Sequence, residues 1–125
     1  MEFYKNHIDN LNETRHEILT KSLSKAGLGR DAVGPLMKRE ETAPTYVGFM
    51  IAIPHCVYGK SDRIIYSTLE RKVQWGNKPA ETVNKLIIVI SGNRKRMKEV
   101  ITKTALLLHN EPRSLTFKRL KNEFE

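Results

Sequence analysis

The apolar positions of this chain change period several times, and each change marks an element. Ile18, Leu19, Leu23 and Ala26 recur at helical spacing. Thr14 precedes them with Glu17 three residues on, the spacing of a capping box, and Gly27 offers a left-handed stop. A second helix is expected with Asp31 as its cap, Val33, Leu36 and Met37 as its inward face and Pro35 in its first turn. Thr45 to Ile53 is predominantly apolar and reads as a buried strand that ends at Pro54, because proline donates no ladder hydrogen bond. Cys56 to Asp62 reads as a turn-rich loop. Ile64 to Leu69 reads as a strand, Val73 to Trp75 as a second short one, and 77–84 as a loop. Leu86 to Ile90 is apolar at every position, which suits the centre of a sheet covered on both faces. Met97, Val100, Ile101, Thr104, Ala105 and Leu108 then follow the amphipathic helix template, ended by Asn110-Glu111-Pro112. Ser114 is the expected cap of a last helix with Phe117, Leu120 and Phe124 inward, and Met1 to Lys5 reads as an edge strand. Strands and helices intermingle, so the expected fold class is α/β, a mixed central sheet covered by helices.

Size and charge narrow the picture. The 125 residues suit one domain with one ordinary core, and no apolar run approaches the length of a membrane span. The N-terminus has no signal-peptide hydrophobic region, and a single cysteine, Cys56, excludes an internal disulfide framework. A cytoplasmic protein is the natural expectation. The net charge of +8 raises nucleic acid or acidic proteins as partners. The basic residues are dispersed, however, and the densest cluster is Arg94-Lys95-Arg96 with Lys98 after it. There is no zinc-finger spacing and no aromatic RNA-binding signature. A solvated basic surface is the better reading, and contact with nucleic acid is not expected.

His55 is the residue most open to chemistry. It follows the proline that stops a buried strand, so rigid structure lies behind it and solvent or a partner in front. A neutral imidazole nitrogen is a good nucleophile near pH 7 and can carry a group as a covalent intermediate. From spacing alone, a strand-end histidine with one satisfied hydrogen bond is the better reading. Arg39, taken alone, reads as a cation that suits a helix C-terminus. His7, His16 and His109 have no local constellation. There is no Walker loop and no clustered His/Cys ligand set, so neither nucleotide nor metal is expected.

Arg39-Glu40, then Thr45-x-x-Gly48, then Ile51-Ala52-Ile53-Pro54-His55 resembles the phosphorylation-site signature of the mannitol/fructose-class (type 2) enzyme IIA domains of the bacterial sugar phosphotransferase system. Trp75 and the strand at Leu86 to Ile90 follow that family's order of elements, and the resemblance covers nearly the whole chain. It implies the fold named above, in one domain over 1–125. It also implies that His55 accepts a phosphoryl group held by Arg39, with Thr45 as a further donor, and with no cofactor. Catalytic members usually carry a second histidine at the start of the helix after the central strand. This chain has none there, and Arg96 is the nearest match by position. They also often carry a polar side chain where this chain has Phe49, which would dry that edge of the site or extend a contact surface. The glycine frequent after the acceptor histidine is Cys56 here, read as a small buried residue rather than a redox sensor.

These departures favour the IIA-like domains of phosphotransferase-regulated transcriptional activators and antiterminators, in which phosphohistidine acts as a switch. The chain would then be one domain of a longer regulator. Its partners would be the phosphocarrier HPr, an enzyme IIB, or other domains of the regulator, with a homodimer left open. Two alternatives remain: a working enzyme IIA that passes phosphate to an enzyme IIB, and a degenerate interaction module, against which the retention of Arg39 and His55 speaks.

Overall fold

The structure, a computed structural model, describes residues 1–112 and 115–125. Its elements run β1 (Glu2–Ile8), α1 (Arg15–Lys25), α2 (Arg30–Thr42), β2 (Tyr46–Gly48), β3 (Ile51–Ala52), β4 (His55–Val57), β5 (Arg63–Gln74), β6 (Thr82–Ser91), α3 (Arg94–Asn110) and α4 (Phe117–Phe124). Six strands form one mixed sheet in the order β1-β5-β6-β3-β2, with β4 also on β6. The fold class is the one expected.

The central strand organises both faces. Along β6, Leu86, Ile88 and Ile90 pack into one apolar cluster with Ile18, Leu19 and Leu23 of α1 and Leu36 of α2. Ile87 and Val89 enter the opposite cluster with Val100 and Leu108 of α3 and Leu120 of α4. A strand turns alternate side chains to opposite faces, so a continuous apolar run is what a doubly covered strand requires.

The capping box at Thr14 and Glu17 is present, and Gly27 takes a positive φ of 77° just past the α1 cap. Other expectations are corrected. Gly29, not Asp31, is the N-cap of α2, which starts at Arg30, so Pro35 sits inside the helix rather than in its first turn. Ile64 to Gln74 is one strand, not two, because the Glu70-Arg71-Lys72 interruption is absorbed by a shift of register against β6. Thr82 to Asn84, expected in a loop, already belong to β6. In α3 the buried positions include Leu107, whereas Ala105 is exposed. Ser114 lies outside the described residues; the side chain that caps α4 is Thr116, which accepts from the Arg119 amide at 3.2 Å.

The segment from Thr45 to Ile53 is not one buried strand. It folds back on itself through Gly48, Phe49 and Met50, all at positive φ (91°, 55° and 60°), so β2 and β3 form a tight antiparallel hairpin. Neither does the extended chain stop for good at Pro54. β3 and β4 both run parallel to β6, with Ala52 opposite Leu86 and His55 opposite Val89. Pro54 lacks an N–H, yet its carbonyl accepts from the Val89 amide at 2.9 Å. The strand line is interrupted by two residues, Ile53 and Pro54, and resumes, so Cys56 and Val57 are strand and not loop. Among the described residues no helix is long and apolar enough to cross a membrane.

Candidate functional site

β4 is a three-residue strand held to β6 and in contact with both α2 and α3. His55 opens it and is half-buried. Its Nδ1 lies 2.8 Å from the carbonyl oxygen of Ile53. A carbonyl can only accept, so Nδ1 carries the proton and Nε2 keeps the lone pair. The two-residue step back to Ile53 crosses Pro54, whose fixed φ makes the loop rigid. Ring orientation and tautomer are therefore set together by the backbone.

His55 lines a cleft of about 510 Å³ between α2, β4 and α3. Lys38 and Arg39 contribute from α2, and Arg94 and Lys98 from α3. The floor is apolar, with Val57 and Met97. Burial pushes the imidazole pKa below 6.5, and the Arg39 charge lowers it further; the hydrogen bond to Ile53 and the Glu40 carboxylate act the other way. The ring is thus neutral, and nucleophilic at Nε2, at pH 7. Burial alone pushes the neighbouring Cys56 thiol up to about 11, so it is a buried thiol and not a ready thiolate.

Arg39 stands one residue before a buried acid. Glu40 has no solvent exposure. Its carboxylate accepts from the Trp75 Nε1–H at 2.5 Å, the Thr45 amide at 2.8 Å and the Thr45 hydroxyl at 2.9 Å. Together these tie the end of α2 to the entry of the hairpin. The Arg39 guanidinium itself donates to the Ala43 carbonyl at 3.0 Å, closing the C-terminal end of its helix, while still lining the cleft.

Of the four residues expected from sequence, the structure therefore brings His55 and Arg39 together and separates the other two. The Thr45 hydroxyl is directed to Glu40 and does not line the cleft. Arg96 pairs with Asp62 at 3.3 Å and Glu99 at 3.6 Å and lines a different cleft. The cations of α3 that line the His55 cleft are Arg94 and Lys98, and the arginine is Arg94. Asn93 caps α3 through the Arg96 amide at 3.0 Å, which makes Arg94 its first residue. Arg94, Met97, Lys98 and Ile101 then form one stripe at helical spacing, and all four line the cleft. That phase was available in the sequence, since Met97 and Ile101 were already assigned inward. Gly92, just before α3, lets the chain at Gly59 and Lys60 come close: a Cβ there would stand 2.6 Å from the Gly59 carbonyl oxygen. Phe49 is not at the site. It caps the hairpin beyond Ile51, opposite Lys85 on β6, whereas His55 lies opposite Val89. Four residues of strand, roughly 13 Å, separate the two ends. His7, His16 and His109 are exposed; His7 contacts Thr68 and Glu70.

Among the described residues no group of His, Cys, Asp or Glu could hold a metal ion. What the cleft offers instead is a fixed imidazole lone pair among four cations, a setting suited to an anionic group such as phosphoryl.

Known proteins agree with this architecture. Mannitol IIA from Escherichia coli is similar in fold at a TM-score of 0.69 and 22% identity, over 86% of this chain and 82% of that one. The nitrogen regulatory protein IIA-Ntr from Neisseria meningitidis also gives 0.69, at 20% identity over 86% and 80%. Enzyme IIA mannitol in its complex with phosphorylated enzyme IIB mannitol from Escherichia coli gives 0.59, at 16% identity over 89% and 87%. No curated protein sequence matches the chain. Residues 7–124 match the model of the family described as phosphoenolpyruvate-dependent sugar phosphotransferase system, EIIA 2. With that match spanning nearly the whole chain, the protein belongs to the EIIA type 2 family of the sugar phosphotransferase system, a family of phosphoryl-transfer modules.

Proposed function

We propose that Nε2 of His55 accepts a phosphoryl group from HPr or a sugar-specific partner, and that the phosphorylated domain acts as a switch within a transcriptional regulator. The observation that carries the acceptor role is the Nδ1–H hydrogen bond to Ile53, which leaves Nε2 unprotonated in a cationic cleft. Nε2 attacks phosphorus as the bond from phosphorus to the carrier's leaving atom breaks. The guanidinium groups of Arg39 and Arg94 neutralise the phosphoryl oxygens, Arg94 taking the part expected of Arg96. Thr45 acts through Glu40, holding the end of α2 in place. The switch reading is supported by the chemistry of Arg94: a guanidinium stabilises a bound phosphoryl group but does not exchange protons near pH 7. A group nearly two charges negative would then be retained and read by a neighbouring domain.

A second reading is a working enzyme IIA that hands the group to an enzyme IIB. It is favoured by the similarity in fold to IIA mannitol, a protein seen in complex with phosphorylated IIB. The deciding experiment is incubation with phosphoenolpyruvate, enzyme I and HPr, intact mass under mildly alkaline conditions, then addition of an enzyme IIB. One added phosphate that IIB leaves in place supports the switch. Rapid removal makes the chain a transport component, and no addition refutes the acceptor role. His55→Ala is expected to abolish the addition and His109→Ala to leave it intact; equal labelling of the two overturns the assignment.

A further inference from the structure

α3 begins against its own electrostatics. The N-terminus of a helix is its positive end, yet the first turn holds no acid and Arg94, Lys95, Arg96 and Lys98 crowd its start. Two clefts flank that start, and they are treated differently. In the one lined by Asp62, Arg96 and Glu99, the arginine is matched by both carboxylates. In the His55 cleft, Lys38, Arg39, Arg94 and Lys98 have no carboxylate within ion-pair distance among the described residues, and no acid lines the cavity. Four unmatched cations exceed the charge of one phosphoryl group, which carries just under two negative charges. The cleft is also larger than that group needs and has an apolar floor, where Val57 remains 40% exposed.

We propose that this cleft is the docking seat for an acidic segment of a partner protein, Asp/Glu-rich with an apolar residue over Val57 and Met97. A phosphoryl group on His55 would compete for the same cations, so phosphorylation would release the segment. That second step rests on the acceptor role proposed above; the docking does not. Charge complementarity names the occupant. The cleft is a concave seat whose lining has no aromatic side chain except His55, and it lacks the stacking platform of a single-stranded nucleic-acid groove.

The test uses the full chain, a fluorescein-labelled glutamate decamer carrying one central leucine, and anisotropy at low and high salt. Binding that weakens with salt is expected. Lys38→Glu combined with Lys98→Glu should weaken it by about tenfold or more, since each reversal removes an attraction and adds a repulsion. The same charge change on α4, Lys118→Glu with Lys121→Glu, should weaken it less than twofold. Thermal melts would confirm that both variants fold. No binding, or equal loss in the two variants, overturns the seat. A duplex DNA of equal charge that binds more tightly through Lys38 and Lys98 overturns the acidic-protein occupant. For the release step, His55 is phosphorylated chemically with phosphoramidate: its P–N bond breaks, ammonia leaves and the bond from Nε2 to phosphorus forms. Peptide affinity should fall several-fold and return after acid hydrolysis; unchanged affinity overturns the competition. Because no carrier protein is used, failure of labelling by HPr would leave this result standing.

Discussion

Glu40 is a carboxylate without solvent contact, and three donors from two other segments converge on it. An ionised carboxylate accepts at every lone pair, so Thr45 and Trp75 are both satisfied by it alone. Glu40→Ala would strand those buried donors at about 1 kcal/mol or more each, a loss of roughly 3 kcal/mol in unfolding free energy. Urea denaturation followed by the emission of Trp75 measures it directly; an effect under about 1 kcal/mol would mean that water replaces the carboxylate. Arg94 and Arg96 separate at the same scale. Both are arginines of the first turn, but only Arg94 lines the cleft that holds His55. Arg94→Ala is expected to slow phosphoryl labelling by about tenfold or more, the effect of removing one charged donor from a phosphoryl group. Arg96→Ala should change the rate less than twofold, because its partners are Asp62 and Glu99. The reverse order would place the second clamp on the other face of α3. Counting positions along the chain pointed to Arg96. The helical phase set by Met97 and Ile101 points to Arg94, so the residue was legible from periodicity and not from position.

The hairpin between β2 and β3 carries local strain. Phe49 and Met50 both hold positive φ without being glycine, and Phe49 is 57% exposed. A left-handed residue with a side chain costs about 1 kcal/mol, which asparagine and glycine largely avoid in two-residue hairpin turns. Phe49→Asn combined with Met50→Gly is therefore expected to stabilise the protein by about 1 kcal/mol, raising the melting temperature by roughly 4 °C. Labelling of His55 should not change, since the turn lies at the other end of β6. Calorimetry checks the first outcome, and a lowered melting temperature would show that the apolar contacts of Phe49 and Met50 outweigh the strain. This turn was not legible because nothing in Gly48-Phe49-Met50 carries a hairpin signature beyond the single glycine. By contrast, β6 and α3 were legible because their periods are unbroken, and the capping box fixed the start of α1. β5 was read as two strands because Glu70, Arg71 and Lys72 are exposed along a stretch where the register slips. Local polarity there reports exposure, not the end of a strand.

At the scale of the whole molecule, the site exists because three layers meet at one seam. β6 places Leu86, Ile88 and Ile90 against α1 and α2, and Ile87 and Val89 against α3 and α4. β4 lies on the edge of β6, where α2 from one layer and α3 from the other both reach it. The imidazole half-buried there is an ionisable group whose charge the whole fold disfavours. Its pKa is about 6.5 in the unfolded chain and lower in the folded one, with burial the leading cause. As pH falls below 6.5, the unfolded state takes up the proton first, and protonation favours unfolding. The stability linked to neutral His55 is therefore complete above pH 6.5 and is lost as pH falls through the folded pKa. His55→Gln should remove that component, so the wild type should lose more unfolding free energy between pH 7.5 and pH 5 than the variant. Urea titrations of both proteins at the two pH values test it. The same displacement predicts that labelling of His55 falls with a midpoint below pH 6.5, lower than that of a free imidazole. A labelling rate that instead falls with a midpoint at or above 6.5 would mean that the hydrogen bond to Ile53, with the Glu40 carboxylate behind it, outweighs burial and Arg39.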